Sequence, residues 1–416
     1  MQNITEYVNG LCAEVKTAQR TLSTLKTADK NAALSAIAGA IKAEKSAILK
    51  ANKVDLDTAA ENGVPRTMLD RLSLTEARID AIADALLDVA RLPDPCGNGT
   101  VTVRPNGLKI TKTSVPLGVI GIIYEARPNV TVDAAALCLK SGNGAVLKGG
   151  KEALNTNRAL MSVMKNALKG TAIPPECIAL IDSTDRAATT ALMNARGLID
   201  VLIPRGGKGL IKAVVENAAV PVIETGAGNC HVYIDESADL DKALAVTVNA
   251  KMSRPSVCNA IETVLVHEKV AKDFLTAFAK ATEGKLEIRG CEKTVSILSG
   301  STKATEQDYE TEYNDYIMSV IILDSLEAAV AHINSHSTGH SEAIITRSVE
   351  AAEYFQSAVD SACVYVNAST RFTDGGEFGL GAEIGISTQK LHARGPMGLY
   401  ALTSEKFLIC GNGQTR

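Results

Sequence analysis

Cys258 is the residue whose type and surroundings best fit covalent chemistry in this chain. It lies in a polar turn four residues after Arg254, and an apolar run from Ala260 to His267 follows it. A thiol acts as a nucleophile only as a thiolate, and a nearby arginine together with backbone N–H groups in the turn would stabilise that anion. The alternative is that Cys258 is one more small, buried apolar side chain, as most cysteines in folded proteins are.

A second stretch combines glycines with basic side chains. Arg205, Gly206, Gly207 and Lys208 follow an apolar run that predicts a strand, and they precede a predicted helix. Free backbone N–H groups at the start of a helix bind phosphates, so these residues could hold a nucleotide. The same pattern also fits a tight turn from strand to helix. Neither Gly-x-Gly-x-x-Gly after the first strand nor Gly-x-x-x-x-Gly-Lys-Ser/Thr occurs, which excludes the usual dinucleotide fingerprint and the P-loop.

Three histidines, His332, His336 and His340, are spaced by four residues. On one continuous helix they would align and suggest a metal site. The residues Ser337-Thr338-Gly339 should end the helix before His340, and no further side chain completes an obvious ligand set, so we expect no metal. The glycine-rich stretch 367–387 either approaches a ligand or simply turns the chain, and its composition leaves both open.

The composition indicates a folded protein that binds neither nucleic acid nor membrane. A length of 416 residues predicts two or three domains, and a net charge of −4 with 4% aromatic residues and no Trp disfavours nucleic-acid binding. There is no run of about 18 apolar residues and no signal-peptide pattern at the N-terminus, so we expect a cytoplasmic protein. The nine cysteines are odd in number and scattered, which favours reduced thiols over a disulfide framework.

Helical periodicity dominates the first part of the chain. Apolar residues at positions 34, 37, 41 and 48 share one face, which predicts amphipathic helices between about residues 4 and 53. Another helix is predicted from Leu74 to Leu92, started by a capping box of Ser73 and Glu76. Alternating residues around a Pro105-Asn106-Gly107 turn then predict a β-hairpin. Because an isolated two-stranded ribbon is barely stable in water, we expect this hairpin to pack on another subunit.

The middle of the chain alternates apolar runs with helical stretches, which predicts a parallel, doubly wound α/β sheet. Ligands bind beyond the carboxyl ends of such strands, so the loops expected to matter are 125–129, 148–151, 204–208 and 224–229. The predicted strands are Val119–Tyr124, Ala145–Lys148, Ile178–Ile181, Val201–Ile203 and Val220–Ile223. A second α/β domain that contains Cys258 is predicted from about residue 226, facing the first across a cleft.

Several ordered motifs together resemble the aldehyde dehydrogenase superfamily and, within it, the family of γ-glutamyl phosphate reductases. The motifs span nearly the whole chain, and the most specific ones include the Cys258 turn. The others are Pro116-Leu-Gly-Val-Ile-Gly-Ile-Ile-Tyr-Glu-Ala-Arg-Pro-Asn129, Val222-Ile-Glu-Thr-Gly-Ala-Gly-Asn-Cys-His231, Ala331-His-Ile-Asn-Ser-His-Ser-Thr-Gly-His-Ser-Glu342 and Val366-Asn-Ala-Ser-Thr-Arg-Phe-Thr-Asp-Gly-Gly-Glu-Phe-Gly-Leu-Gly-Ala-Glu383.

The resemblance implies an aldehyde dehydrogenase-like α/β fold with two doubly wound domains and an oligomerisation hairpin. We expect a modified Rossmann, NADP-binding domain at 1–97 and 114–225, the hairpin at 98–113, a catalytic domain at 226–385 and a C-terminal tail at 386–416 that completes the oligomerisation region. The implied activity is NADPH-dependent reduction of L-glutamyl 5-phosphate to L-glutamate 5-semialdehyde and phosphate in proline biosynthesis. The alternative is an oxidative or CoA-acylating aldehyde dehydrogenase. A homodimer or homotetramer is expected, with the upstream glutamate kinase as a candidate partner.

The resemblance also assigns roles to residues. Cys258 is the nucleophile, and either Asn129 or Arg127 takes the place of the oxyanion-binding asparagine of hydrolytic relatives. Glu224 stands where those relatives keep a water-activating glutamate, from which a reductase gains nothing. The residues expected to bind the cofactor are Lys148, Lys151, Arg205, Gly206, Gly207 and Glu312.

Substrate-binding residues are assigned by residue type and loop position alone. The substrate carries a phosphate, a carboxylate and an ammonium group, so it requires partners of both charges. The candidates are Arg127, His340 and Arg371 for the anionic groups, with Glu125 or Glu342 for the ammonium. For each of them, a solvated loop charge or a structural pair is the alternative.

Overall fold

The structure, a computed structural model, describes residues 3–125 and 127–416. Met1, Gln2 and Ala126, the last of them within the ligand loop expected at 125–129, lie outside the described residues. The chain divides into two compact units. The first contains Met1–Thr225, Gly379–Gly385 and Met397–Arg416, and the second contains Gly226–Phe378 and Ile386–Pro396.

The first unit begins with helices and continues into alternating strands and helices. The initial helices are α1 (Ile4–Leu22), α2 (Thr27–Ala43), α3 (Lys45–Glu61), α4 (Arg66–Leu72) and α5 (Glu76–Arg91). They are followed by β1 (Gly99–Val103), β2 (Lys109–Pro116), β3 (Val119–Tyr124), α6 (Pro128–Lys140), β4 (Gly144–Gly149), α7 (Leu154–Leu168), β5 (Ile178–Leu180), α8 (Arg186–Met193), β6 (Val201–Arg205) and α9 (Lys208–Asn217).

The second unit has the same alternation of strands and helices, and the last strand of the chain returns to the first unit. The elements of the second unit are β7 (Cys230–Ile234), α10 (Leu240–Met252), β8 (Ile261–His267), α11 (Glu268–Thr282), β9 (Glu287–Gly290), α12 (Glu292–Ile297), β10 (Thr302–Lys303), α13 (Glu306–Tyr309), β11 (Ile317–Leu323), α14 (Leu326–His336), β12 (Ser341–Ile345), α15 (Val349–Ala358), β13 (Cys363–Val366), β14 (Ile386–Ser387) and β15 (Gly395–Pro396). The returning strand is β16 (Thr403–Cys410).

The N-terminal helices confirm the predicted apolar face, since Leu34, Ile37, Ile41 and Ile48 are all fully buried. The predicted cap of α5 is wrong. Thr75 caps this helix by accepting a hydrogen bond from the Arg78 backbone N–H at 3.2 Å, because Ser73 already ends α4. No helix among the described residues has both the length and the apolar character needed to cross a bilayer.

The sheet of the first unit has the order β5-β4-β3-β6, and its strands are parallel. This confirms the βαβ prediction for these strands. The expected fifth strand shrinks to a single bridge between Leu202 and Val222. The Pro221 carbonyl accepts from the Leu202 N–H at 2.8 Å, but Pro221 has no N–H with which to extend the ladder.

The sheet of the second unit has the order β10-β9-β11-β8-β7-β12-β13 and is also parallel. Its central strands are buried on both faces, as expected when helices cover the two sides. Alternate residues enter two separate cores: Val232 and Val264 pack in one, while Tyr233 and Leu265 pack in the other. The turn that carries Cys258 therefore joins a rigid sheet at the amino end of β8.

The hairpin prediction is confirmed, because β1 and β2 pair antiparallel. The structure adds a third strand: β16 pairs with the other edge of β2, from Thr403 opposite Pro116 to Cys410 opposite Lys109. We call this three-stranded sheet the arm.

The boundary after Thr225 coincides with the expected one, but two later segments differ. Residues 379–385, expected in the catalytic domain, group with the first unit, because the Ile384 N–H donates to the Met397 carbonyl and the Met397 N–H donates to the Gly385 carbonyl. Residues 386–396, expected in the tail, group with the second unit, where the Gly226 N–H donates to the Ile386 carbonyl at 2.8 Å. The function of each domain stays a prediction.

Candidate active site

A buried ion pair closes the base of the turn that carries Cys258. The ammonium of Lys251, in the last turn of α10, lies 2.5 Å from the carboxylate of Glu262 on β8, and their side chains are 0% and 1% exposed. Burial lowers the pKa of Lys251 and raises the pKa of Glu262 to about 7. The opposite charge of each partner favours the charged form and shifts both pKa values in the other direction. Removing one partner of such a pair would leave an uncompensated buried charge, so residues 252–261 are anchored at both ends.

Arg371 supports the same turn from the side. Its Nε donates to Ser253 Oγ at 3.1 Å, and its Nη1 donates to Asn259 Oδ1. The Asn259 amide nitrogen in turn donates to the carbonyls of Arg371 and Thr373, at 3.3 and 2.9 Å. Arg371 was expected to bind substrate. The structure gives its guanidinium a structural task, while the substrate contact stays a prediction.

The loop that precedes β7 packs directly on the backbone of Cys258. A Cβ atom added to Gly228 would lie 1.6 Å from the Cys258 carbonyl oxygen, so only glycine permits this approach. The same carbonyl accepts a hydrogen bond from the Cys230 thiol at 3.2 Å, and the Gly228 N–H donates to the Glu312 carboxylate at 2.9 Å. Glu312, expected to bind the cofactor, therefore helps to hold the loop behind the half-buried Cys258.

His340 lies behind the turn rather than on its surface. Its side chain is fully buried, and its Nδ1 lies 2.8 Å from Ser341 Oγ and 3.6 Å from Cys230 Sγ. Hydrogen bonds continue from Ser341 to Thr373 and from Thr373 to Tyr365, each 2.7 Å long. The structure thus places His340 in a buried polar network, and its expected substrate contact stays a prediction.

Glu342 is also fully buried. Its carboxylate accepts hydrogen bonds from the backbone N–H of His231 at 2.7 Å and from Ser337 Oγ, and it lies 3.0 Å from His231 Nδ1. The structure thus gives the Glu342 carboxylate internal partners, and its expected contact with a substrate ammonium stays a prediction.

Two of the three regularly spaced histidines share α14, with ring centroids 4.3 Å apart, and the helix ends at His336 as predicted. Burial, reinforced by the neighbouring His231 and His336, lowers the pKa of His332 to about 3. Within residues 3–125 and 127–416, no group of three metal-ligating side chains is arranged to hold a metal ion.

The carboxyl ends of the strands in the first unit carry the predicted cofactor residues. Glu125, directly after β3, places its carboxylate 2.9 Å from the Gly207 N–H at the start of α9. The absence of a side chain at Gly206 makes room for this carboxylate, because a Cβ there would lie 2.7 Å from Glu125 Cδ. Glu125 was expected to bind a substrate ammonium, but here it occupies the helix start as an internal anion.

The basic residues at the same edge of this sheet differ in their burial and in the partners of their charged groups. The Lys148 ammonium is buried and donates to the Gly149 carbonyl at 3.0 Å, and burial lowers its pKa. The guanidinium of Arg205 lies 3.6 Å from the Glu383 carboxylate. Lys151 is exposed at the start of a short 3-10 helix.

The candidate oxyanion residues also lie in the first unit. Asn129 is exposed in the first turn of α6, and its amide donates to the Asp133 carboxylate at 3.0 Å. Burial raises the pKa of Asp133 to about 6, with Asn129 and Arg205 acting in the opposite direction. Arg127 immediately precedes α6 and is half-buried, as is Glu224 after the Val222 bridge.

Sequence reasoning missed the residues that hold Cys258 in place. Gly228 and Cys230 were read only as parts of a motif, and Lys251 and Glu262 were not singled out. The Gly-Ala-Gly-Asn run at 226–229 was the available signal for a close backbone approach. Nothing in the spacing of Lys251 and Glu262 predicts that they pair.

The sequence profile of the aldehyde dehydrogenase family matches residues 3–297 and 297–383, and the chain belongs to this family. An acetylating aldehyde dehydrogenase from Geobacillus thermoglucosidasius shares the fold, with a TM-score of 0.73 at 16% identity over 100% of both chains.

The relatives with high identity over the full length include γ-glutamyl phosphate reductases. The one from Moorella thermoacetica is 56% identical over 401 residues, which are 96% of each chain, and the one from Halothermothrix orenii is 53% identical over 99% of each chain. The crystal structure of the γ-glutamyl phosphate reductase from Thermotoga maritima has a TM-score of 0.95 at 48% identity, covering 98% of this chain and 99% of that one. The predicted resemblance and fold class are confirmed.

We expect Gly228→Ala to disable the site without unfolding the chain. The new methyl group would overlap the Cys258 carbonyl, and the displaced nucleophile should lower dehydrogenase turnover by about 100-fold. The matched control is Gly39→Ala, since Gly39 lies within α2 with no atom within 4 Å of the added carbon. That change should raise the free energy of unfolding by about 0.5–1 kcal/mol and leave turnover unchanged. Steady-state kinetics and thermal unfolding measure both, and normal turnover in Gly228→Ala would contradict the packing argument.

Proposed function

We propose that this chain reduces L-glutamyl 5-phosphate to L-glutamate 5-semialdehyde and phosphate, with NADPH as reductant, in proline biosynthesis. The observation that supports this most directly is the anchored turn of Cys258 in a chain whose full-length relatives are γ-glutamyl phosphate reductases. A half-buried thiol between two fixed ends is suited to form and release an acyl group without moving.

The proposed chemistry divides into acylation and reduction. The Cys258 thiolate attacks the acyl carbon, a C–S bond forms, and the C–O bond to phosphate breaks with its electron pair leaving on phosphate. NADPH supplies the hydride that reduces the resulting thioester. Cys258 then leaves as a thiolate while the aldehyde carbonyl forms. Because phosphate is a good leaving group, acylation requires no strong general acid, but the tetrahedral oxyanion requires N–H donors, for which we propose the Cys258 amide and Asn129.

The residues at the strand ends of the first unit fit a dinucleotide phosphate. Aldehyde dehydrogenases use NAD or NADP, and here the Gly207 N–H already holds an anion, the Glu125 carboxylate. A phosphate at this N–H would have to displace Glu125, after which Lys148 and Lys151 would supply the positive charge. We propose NADPH over NADH because the loop 148–151 carries these two lysines and no acid.

An oxidative or CoA-acylating aldehyde dehydrogenase is the alternative function. It would share the thiol and the fold, and an acetylating enzyme is among the structural neighbours at 16% identity. The two are separated by the acyl acceptor, because only the proposed enzyme requires inorganic phosphate when the reaction is run towards aldehyde oxidation. Preference for CoA or water over phosphate would favour the alternative.

Replacing the nucleophile tests the proposed chemistry. We expect phosphate-dependent oxidation of L-glutamate 5-semialdehyde with NADP, followed as NADPH absorbance, and its loss in Cys258→Ala and Cys258→Ser. NADPH binding, measured by fluorescence titration, should survive in both, since Cys258 lies outside the first unit. Cys410→Ser, which removes the exposed thiol of β16, is the control and should retain full turnover. Near-normal turnover in Cys258→Ala would overturn the assignment of the nucleophile.

Lys151 tests the preference for NADPH. Its ammonium is exposed, so Lys151→Met should reduce kcat/KM for NADPH by about 10-fold through loss of a charged contact while leaving the value for NADH nearly unchanged. Lys169→Met, which removes an exposed charge after α7, is the control. Equal kcat/KM for NADH and NADPH in the unmodified protein would show that these charges do not read the 2′-phosphate.

We also propose that the arm joins copies of this chain into a homodimer or homotetramer. Several of its large apolar side chains are exposed to solvent: Val101, Val103, Phe407 and Ile409 are 55–65% exposed. Both outer strands are edges whose unpaired backbone groups can pair further. The upstream glutamate kinase remains a second proposed partner, because acyl phosphates are prone to hydrolysis in free solution.

Charges introduced on the arm test the proposed assembly. Phe407→Glu combined with Ile409→Glu should dissociate the oligomer, because the two carboxylates would be buried unpaired at the contact. The control is Leu391→Glu, since Leu391 is 82% exposed but belongs to the second unit. Size-exclusion chromatography with light scattering gives the mass of each variant. An unchanged mass in the double variant would exclude the arm as the contact.

A further inference from the structure

Two arginines, Arg371 and Arg254, belong to the surroundings of Cys258, and they differ in burial and in the contacts of their guanidinium groups. Arg371 is partly buried, and its guanidinium bonds to Ser253 and Asn259 on the two sides of Cys258. Arg254 is the chain neighbour of Ser253 and is exposed. Within residues 3–125 and 127–416, no hydrogen bond or ion pair to its guanidinium is found.

The charge of Arg254 acts on the guanidinium of Arg371. Burial lowers the pKa of Arg371, Arg254 lowers it further, and Cys258 and Asp374 act in the opposite direction. Asp374 is itself engaged, because its carboxylate accepts from the N–H groups of Gly376 and Glu377 at 2.8 and 3.3 Å. Like charges held close together raise the energy of the turn unless an anion joins them.

We propose that Arg254 binds the phosphate group of the acyl phosphate, and that Arg371 is a positioning residue that fixes the turn. This rests on the function proposed above and assigns its phosphate site. The guanidinium of Arg254 has its fork of N–H groups available for phosphate oxygens, whereas that of Arg371 is already used by Ser253 and Asn259. Pro255 also restricts the backbone of Arg254 to extended conformations, which reduces the cost of holding it in place.

The assignment matches the movement of charge during acylation. When the C–O bond breaks, its electron pair remains on the departing phosphate, so negative charge grows on that group as the C–S bond forms. A cation four residues from Cys258 can attract the phosphate before the reaction and stabilise it as it leaves. Of the two candidates for anion binding named earlier in this unit, Arg371 is bonded to Ser253 and Asn259, and His340 is fully buried.

The first experiment measures the KM for inorganic phosphate in the oxidation of L-glutamate 5-semialdehyde with NADP. Arg254→Gln should raise this KM by roughly 10- to 100-fold, the effect of losing a charged hydrogen-bonded contact, with little change in the KM for NADP. Arg254→Lys should fall between Arg254→Gln and the unmodified protein, because it keeps the charge but loses the fork. Arg347→Gln, which removes an exposed arginine 3.7 Å from Asp239, is the control and should retain the original KM.

The second experiment uses no turnover. Iodoacetamide alkylation of Cys258, followed by peptide mass spectrometry, should be slowed by inorganic phosphate in the unmodified protein and in Arg347→Gln, but not in Arg254→Gln. Potassium chloride at equal ionic strength is the control that distinguishes phosphate binding from electrostatic screening by salt. Arg371→Gln should instead change the pH profile of alkylation and lower kcat, since the turn itself moves.

The outcomes separate this inference from the function on which it rests. If the unmodified protein oxidises the semialdehyde without any need for phosphate, the proposed function fails. If oxidation requires phosphate but Arg254→Gln keeps the original KM for phosphate and the original protection of Cys258, only the assignment of Arg254 is overturned. If Arg371→Gln alone raises the KM for phosphate and leaves the alkylation profile unchanged, the two roles are reversed.

Discussion

The buried pair of Lys251 and Glu262 is the interaction on which the position of Cys258 depends. It fixes the two ends of the Cys258 turn to α10 and β8, which are anchored in the core of the second unit. Charges buried this completely contribute little net stability, and well-packed apolar residues would often serve as well. The pair instead contributes to the position of the turn, because a buried ion pair with one favourable geometry holds both ends of the turn in place.

The other supports act on the turn between those two ends. Arg371 braces its side, and Gly228 and Cys230 lie against the Cys258 backbone. These supports come from two segments, one around Gly228 and Cys230 and one at Arg371, so distant parts of the sequence converge on a single residue. A site built in this way tolerates little movement, which suits the proposed role of Cys258 as a residue that forms a bond and then breaks it at the same point.

The fold was largely predictable from the sequence because it rests on local patterns. The faces of α2 and α3 followed from spacing, and the four strands of the parallel sheet in the first unit followed from short apolar runs between turn residues. The exceptions were local competitions that a pattern cannot resolve: Ser73 serves the helix before it, and Pro221 stops a strand for lack of an N–H. The third strand of the arm arises from a pairing between segments almost 300 residues apart, which no local pattern records.

The candidate site was less predictable, because it depends on contacts between residues that are distant in sequence. Cys258 stood out by its motif, but the partners that define its surroundings are distant in sequence. His340 and Glu342 illustrate the limit: residue type suggested substrate contacts, whereas burial gave both of them structural partners. Residue type reports what a side chain can do, and only packing decides whether a ligand can reach it.

The pairing of β16 with β2 has a consequence for the order of events during synthesis. On the ribosome, β2 emerges long before residue 403, so one edge of the hairpin stays open while the second unit is being made. The first unit is likewise completed only when 379–385 and 397–416 arrive. Nascent chains therefore expose an unpaired strand until residue 410 has been made, and the complete three-stranded surface exists only after that point. This timing would restrict stable association through the arm to chains whose second unit has already been synthesised.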